Sequence, residues 1–373
     1  MSLVVDTHRQ YLSDRVRLDA FRRAVGDVVR PGHVVLDLGS GTGILGLFAC
    51  AAGAAHVHSV DNSGIIEVAR AVAAANGFAD RMTFHNVHSA ELQLTGPVDV
   101  IVSDLIGRFA IDGGLVEDVA QARDRWLAPG GTIVPSTVTL EVAAVEHPEG
   151  AANIDFWNAR PGGFDMAPAR QWAANTGYPT HFAPGALLGP PRDATRLDMA
   201  TVLPAPFAID VTLTVDRAGT LHGIGGWFRA QLSPSVTLSN APLARPRLNR
   251  RDVFFPIDRP VAVTPGDRVR VHMRIIPAET IVRWTVEVHG CTFRHSTFNG
   301  MLVAREDLMR MRPQSVPQLT ARGGARLSVL ELCDGATPLA DIEREVFRRH
   351  PDLFPSVADA GAFVAEVVTR YAR

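Results

Sequence analysis

The run VVLDLGSGTGILGLFA, residues 34–49, constrains this chain more than any other. A short β-branched apolar stretch stops at three glycines, Gly39, Gly41 and Gly43, and residues 44–52 then read as a buried helix. Glycine is needed where a chain turns sharply and comes too close to a ligand for a Cβ. Two further short apolar runs follow, 56–60 ending at Asp61 and 98–102 ending at Ser103 and Asp104, with an alanine-rich helical stretch after the first. Strands alternating with helices imply a doubly wound parallel sheet of Rossmann-like type.

Asp61, at the end of the second strand, can accept hydrogen bonds from both hydroxyls of an adenosine ribose. The glycines alone leave the cofactor open, because Gly41, Gly43 and Gly46 also fit the GxGxxG pattern of dinucleotide sites. Asp37 argues against a dinucleotide. A buried carboxylate would repel a pyrophosphate but suits the cationic amino acid end of S-adenosylmethionine.

After the phrase LAPGGTIVPSTVTLEVAAVE the pattern changes to strand-like runs at 208–215, 226–232, 261–263, 268–275 and 282–288, which predict a β-barrel or sandwich. From about residue 305 apolar positions recur at helical spacing, predicting a small helical domain. The expected division is a cofactor domain over 1–135, a β-barrel substrate domain over 136–296 with an inserted arm at about 167–198, and a helical domain over 297–373.

With 37 basic and 39 acidic residues the chain has no electrostatic footprint for nucleic acid or an anionic membrane. No apolar run reaches the roughly 20 residues of a spanning helix, and MSLVVDTHRQ lacks a signal pattern, so the expectation is a cytoplasmic protein. Cys50, Cys291 and Cys333 form no CxxC pair, His85 and His88 have no partner spacing for a metal, and no metal site is expected. The GxxxxGK[ST], HExxH and GxSxG motifs are absent.

Over residues 8–295 the chain resembles the protein arginine methyltransferases. HRQYLSDRVRLDAF, VVLDLGSGTGIL, SDLIG and ARDRWLAPGGTIVPSTVTL match that family in order and spacing. The resemblance implies S-adenosylmethionine as cofactor, with Arg17 on its carboxylate and His8 nearby. Asp61 takes the place of the ribose-binding glutamate, and Ser89 places a backbone N–H at or next to the adenine. Tyr11 lines the same pocket or packs its helix. FDMAPARQ resembles the family's dimerisation arm, which implies a homodimer.

The acceptor half departs from that pattern. The family binds its substrate guanidinium with two glutamates of one loop. Asp104 stands at the first position, whereas the second falls on Gly113, with Asp112 beside it. The family's threonine–histidine–tryptophan motif reads RLNRR at 247–251. Asp104 and Asp112 are therefore the candidate catalytic residues. The expected acceptor is a nitrogen or oxygen nucleophile on a peptide or small natural product. The alternatives are a true protein arginine methyltransferase and a non-catalytic cofactor-binding protein. Residues 325–370, with ARLSVLELCDGATPLADIEREVFRRHPDLF, resemble the helical half of PqqD-type peptide-recognition domains, which implies a peptide substrate.

Overall fold

A computed structural model describes residues 4–372, so the first three residues of the N-terminal segment lie outside it. Two helices, α1 (Val4–Ser13) and α2 (Arg15–Val28), lead into β1 (Val34–Leu38), α3 (Ile44–Ala51), β2 (His56–Val60), α4 (Ile66–Ala75), β3 (Met82–His85), β4 (Val98–Ser103), α5 (Leu115–Trp126) and β5 (Leu127–Val134). Asp14 starts α2 by accepting the Arg17 N–H, which satisfies one donor at the helix start.

The five strands form one parallel sheet in the order β3-β2-β1-β4-β5. Chain direction across the sheet reverses between β1 and β4, and open α/β sheets place their ligands at the carboxyl ends of such strands. Here those ends are Leu38 and Ser103, paired in register and joined by a 3.0 Å bond from Ser103 Oγ to Leu38 O.

The second half contains β6 (Thr137–Val145), α6 (Pro148–Asp155), α7 (Arg170–Ala174), β7 (Tyr178–Thr180), β8 (Arg192–Asp198), β9 (Phe207–Thr214), β10 (Gly219–Ser233), β11 (Val236–Ser239), β12 (Asp252–Val263), β13 (Arg268–Ile276), β14 (Ile281–Val288) and β15 (Cys291–Ser296). They make two antiparallel sheets, β7-β12-β10-β6-β8 with β11 on β10, and β15-β14-β13-β9. Alternation along β13 buries Val269, Val271, Met273 and Ile275 and exposes the residues between them. Phe255 of the first sheet meets Trp284 of the second at 5.4 Å between ring centroids, and the Trp284 indole donates to Pro256 O at 2.7 Å. Four of the five runs expected as strands fall within strands, and the fifth, 208–215, runs one residue past the end of β9.

The segment 167–198, expected as an inserted arm, contains both helix and strand. The helical excursion runs from Pro148 to Ala174, and Arg192–Asp198 is a strand paired with β6. Its sequence RDATRLD alternates only weakly because just one of its side chains is buried, which hid it.

The sheet and barrel share one apolar core and form a single compact unit up to Met301. A second unit begins at Leu302 and holds α8 (Arg305–Arg310), α9 (Ala321–Leu332), α10 (Leu339–Arg349) and α11 (Val357–Tyr371). The last three pack around Ala325, Val329, Ile342, Val346 and Phe363. Among its described residues this unit has no strand, so nothing in it offers an edge for a peptide to extend. No described helix is long and apolar enough to cross a membrane.

Candidate active site

A cavity of about 890 Å³ opens over the carboxyl ends of β1 and β4. Its walls carry His8, Tyr11, Asp14 and Arg17 from the first two helices, Gly39 and Gly41 after β1, Asp61 after β2, Asp104 to Asp112 after β4, and Leu248 to Arg251 before β12. Gly39, Gly41 and Gly43 have φ of +70°, +53° and +77°, in the left-handed region that disfavours other residues. A Cβ on Gly41 would lie 2.6 Å from the His8 ring, so the imidazole closes directly onto the turn. Burial lowers the His8 pKa, against the raising field of Asp61 and with the lowering field of Arg17.

Asp37 is fully buried beneath this turn. Its Oδ2 accepts the Gly46 N–H at 2.8 Å, whereas Oδ1 has no partner. A Cβ on Gly46 would lie 2.8 Å from Met82 and 3.1 Å from Asp37 Oδ2, so that glycine serves helix-to-strand packing. Burial pushes the Asp37 carboxyl up to about 7, with Asp61 adding to the rise and Gly46 and Arg17 opposing it. Arg17 is also buried, and its Nη1 has no partner. An orphaned carboxyl oxygen beneath the turn and an orphaned guanidinium nitrogen on the cavity wall fit the ammonium and carboxylate of an amino acid.

Asp61 lines the cavity and also holds the turn. Its Oδ2 accepts the Gly41 N–H at 3.0 Å, and its Oδ1 accepts Ser63 N–H at 2.9 Å and Ser63 Oγ–H at 2.6 Å. The carboxylate thus fixes the glycine turn, and a ribose hydroxyl would exchange with the Ser63 hydroxyl. Ser89 does not line the cavity, and its hydroxyl donates to Asp118 at 2.5 Å. Gly43 and Asp37 likewise stand behind the wall.

On the acceptor side, Asp104 is clamped by two guanidinium groups. Arg17 Nε donates to Oδ2 at 2.5 Å. Arg250 Nη2 donates to Oδ2 at 3.0 Å and Oδ1 at 3.2 Å, and its Nη1 to Oδ1 at 3.3 Å. Burial alone would raise the Asp104 pKa, but the charges of Arg250 and then Arg17, with their hydrogen bonds, outweigh it and hold the carboxyl below its usual range. The loop carrying Arg250 is pinned at several points. Arg247 donates to Asn240 O, Phe182 O and Asp252, Asp14 accepts the Asn249 N–H, and buried Asn240 donates to both Arg108 O and Arg251 O.

Asp112 does not offer a free carboxylate. It accepts the Arg108 N–H at 2.6 Å and pairs with the Arg108 guanidinium at 2.5 Å, closing its own loop. Gly113 cannot replace it, since a Cβ there would lie 2.0 Å from Leu105 O. Gly113→Glu is therefore expected to lower the melting temperature, at a cost of about 1–3 kcal/mol for a forced side chain. A variant that melts with the wild type would show that the loop can reopen. Arg250 is the residue that sequence reasoning missed. The run RLNRR registered as the loss of a motif, although a cluster of arginines in a loop closing the acceptor site was itself a signal.

Residues 21–143 match the family model described as ribosomal protein L11 methyltransferase, and residues 136–287 that of the arginine methyltransferase oligomerization subdomain. Protein arginine N-methyltransferase 1 of Chlamydomonas reinhardtii is 31% identical over 257 residues, covering 66% of this chain and 74% of the relative. The chain belongs to the protein arginine N-methyltransferase family. The family is one of S-adenosylmethionine-dependent methyltransferases, and the orphaned Asp37 and Arg17 atoms fit the amino acid end of that cofactor. The arginine N(omega)-methyltransferase of Streptomyces achromogenes subsp. streptozoticus is 30% identical over 273 residues, 71% of this chain and 75% of that one. A probable protein arginine N-methyltransferase 6 of Arabidopsis thaliana is 30% identical, and the match covers 74% of this chain and 64% of that longer relative. Among solved structures, the Trypanosoma brucei PRMT1 enzyme-prozyme heterotetrameric complex with AdoHcy aligns with a TM-score of 0.71 at 22% identity, over 78% of this chain and 96% of that one. Arabidopsis thaliana protein arginine methyltransferase 10 aligns with 0.68 at 23% identity, over 78% and 97%. These two likenesses support the same pairing of a parallel-sheet domain with a barrel.

Proposed function

We propose that this enzyme methylates a guanidinium nitrogen of an arginine-bearing acceptor, with Asp104 as the carboxylate that holds it. The observation behind this is the pose of Arg250, a guanidinium already seated on Asp104 at the cofactor crevice. The chemistry of that carboxylate selects a planar, multiply donating cation, and an acceptor arginine would take the same seat. The expectation of another nitrogen or oxygen nucleophile gives way here, because the relatives are named as arginine methyltransferases and because the Arg250–Asp104 pair supports a guanidinium at that carboxylate.

S-adenosylmethionine supplies an electrophilic methyl group when bound. The chain's own residues do the rest. Arg17 would turn from Asp104 to the cofactor carboxylate, Asp37 would act on its ammonium from beneath the glycine turn, Asp61 would hold its ribose, and His8 would cover Gly41, whereas Ser89 lies outside the cavity lining and gets no part in holding the adenine. Asp104 would orient one acceptor nitrogen and offset its charge, while Asp112 holds the loop through Arg108. The test is transfer from labelled cofactor to an arginine-containing peptide and to the same peptide with lysine in its place. The arginine peptide should be the better acceptor by at least about a hundredfold, given the loss of bidentate geometry. Equal rates would refute the reading.

The Asp37 role carries its own pH signature. Because its folded pKa is raised from 3.8 to about 7, the cofactor-free protein holds a proton there that the unfolded chain has released. Its contribution to stability is therefore lost as pH rises through that window. An approaching ammonium favours the ionised form, so cofactor binding should release up to one proton below that pKa. Affinity should rise by up to about tenfold per pH unit, then level off. Calorimetry in buffers of different ionisation heat measures this release, and Asp37→Asn should remove it.

A homodimer through the excursion Pro148 to Ala174 belongs to the same proposal. The excursion exposes Phe156, Phe164 and Met166 and lies inside the segment that matches the oligomerization subdomain. The charges around the cavity bear on whether the acceptor arginine sits in a peptide or in a small molecule.

A further inference from the structure

Among the described residues, the acceptor half of the cavity has its carboxylates engaged and one cation, Arg251, left over. Asp104 answers Arg17 and Arg250, and Asp112 answers Arg108. Asp14, on the same wall, accepts two backbone N–H groups, from Arg17 and Asn249. Arg251 lines the mouth with no ion pair or side-chain hydrogen bond among the described residues. His181 lines it too, and its pKa is lowered first by burial and then by the positive fields of Arg247 and Arg251.

If an acceptor guanidinium takes the place of Arg250 on Asp104, an internal cation is exchanged for an external one. The proposed arginine reading is a premise of this step. The displaced Arg250 side chain is only 13% exposed where it stands, and the one other carboxylate whose charge acts on it among the described residues, Asp112, is already paired with Arg108, while Gly113 cannot carry another. Leaving a partly buried guanidinium unpaired is costly, so the exchange needs a new anion. Arg250 and Arg251 are neighbours on a loop pinned through Asn240 and Arg247, and together they would form a two-guanidinium cradle of the kind that binds carboxylates.

We infer that the methyl acceptor carries a carboxylate beside its guanidinium, which Arg251 and the displaced Arg250 bind at the mouth of the cavity. That carboxylate comes either from an acidic residue flanking the arginine in a peptide or from the α-carboxylate of a terminal or free arginine. Neutral or basic flanks leave the two arginines uncompensated.

The experiment measures kcat/KM for the full chain, at saturating S-adenosylmethionine, on one short peptide with aspartate, glycine or lysine flanking its internal arginine and both ends blocked. Free arginine and its amide form a second pair of acceptors that isolates the α-carboxylate. The carboxylate-bearing member of at least one set should exceed its neutral counterpart by about tenfold or more, the size of a charge-assisted contact, with the lysine-flanked peptide slowest. The set that shows the gap identifies the source of the carboxylate. Arg251→Gln should shrink the gap chiefly through KM, and calorimetry with S-adenosylmethionine confirms that this variant is folded. Equal rates on charged and neutral acceptors would overturn the inference and leave the arginine reading standing. No transfer to any acceptor by a protein that binds the cofactor would overturn both.

Discussion

Asp104→Asn should bring methyl transfer down by about a hundredfold to ten-thousandfold, the range expected when a group that orients the nucleophile and receives its proton is lost. Cofactor binding should survive. Arg17 now divides its guanidinium between Asp104 and an unfilled Nη1, so removing the Asp104 charge leaves it free for the cofactor carboxylate. Affinity for S-adenosylmethionine should stay the same or increase, which separates a catalytic defect from a collapsed site. The substitution also leaves two guanidinium groups without their anion, at an expected stability cost of about 3–5 kcal/mol. Asp104→Glu guards against a merely unfolded variant, because it keeps the charge and should retain measurable transfer. Transfer that is unchanged in Asp104→Asn would remove this carboxylate from the chemistry. A wild-type chain that binds cofactor but transfers nothing would favour a passive binding protein.

Asp61→Ala should weaken S-adenosylmethionine binding at least about a hundredfold, from two charge-assisted hydrogen bonds of about 1.5–3 kcal/mol each. The structure adds a second reason for the loss. Asp61 also holds the Gly41 N–H and both donors of Ser63, so the alanine variant loosens the glycine turn that the adenosine must meet. Calorimetric titration reads the affinity, and an unchanged circular dichroism spectrum shows that the sheet persists. Binding within a few-fold of wild type would mean that the ribose is held elsewhere.

The donor half of this site was legible in the sequence because its constraints are local. The turn that needs Gly39, Gly41 and Gly43, the carboxylate of Asp37 one residue before a strand end, and Asp61 at the end of the next strand all follow from short-range spacing. The barrel strands with strict alternation, such as Arg268–Ile276, were equally readable, whereas Arg192–Asp198 buries too little to show a period. The acceptor half was not readable in this way. Arg250 reaches Asp104 across 146 positions, and its orientation depends on Asn240, Arg247 and Asp252 fixing the loop. Nor could spacing reveal that Asp112 is occupied by Arg108, or that Leu105 O fills the space a side chain at Gly113 would need. Such facts belong to tertiary packing, where two residues compete for one carboxylate.

The most direct measurement is the location of the transferred methyl group. An arginine-bearing acceptor incubated with the protein and S-adenosylmethionine, then fragmented in a mass spectrometer, should carry its new methyl on a guanidinium nitrogen, with one S-adenosylhomocysteine formed per methyl transferred. A methyl found on a carboxylate oxygen, or cofactor turnover that leaves every arginine unmodified, would contradict the assignment of Asp104 as a guanidinium-holding carboxylate.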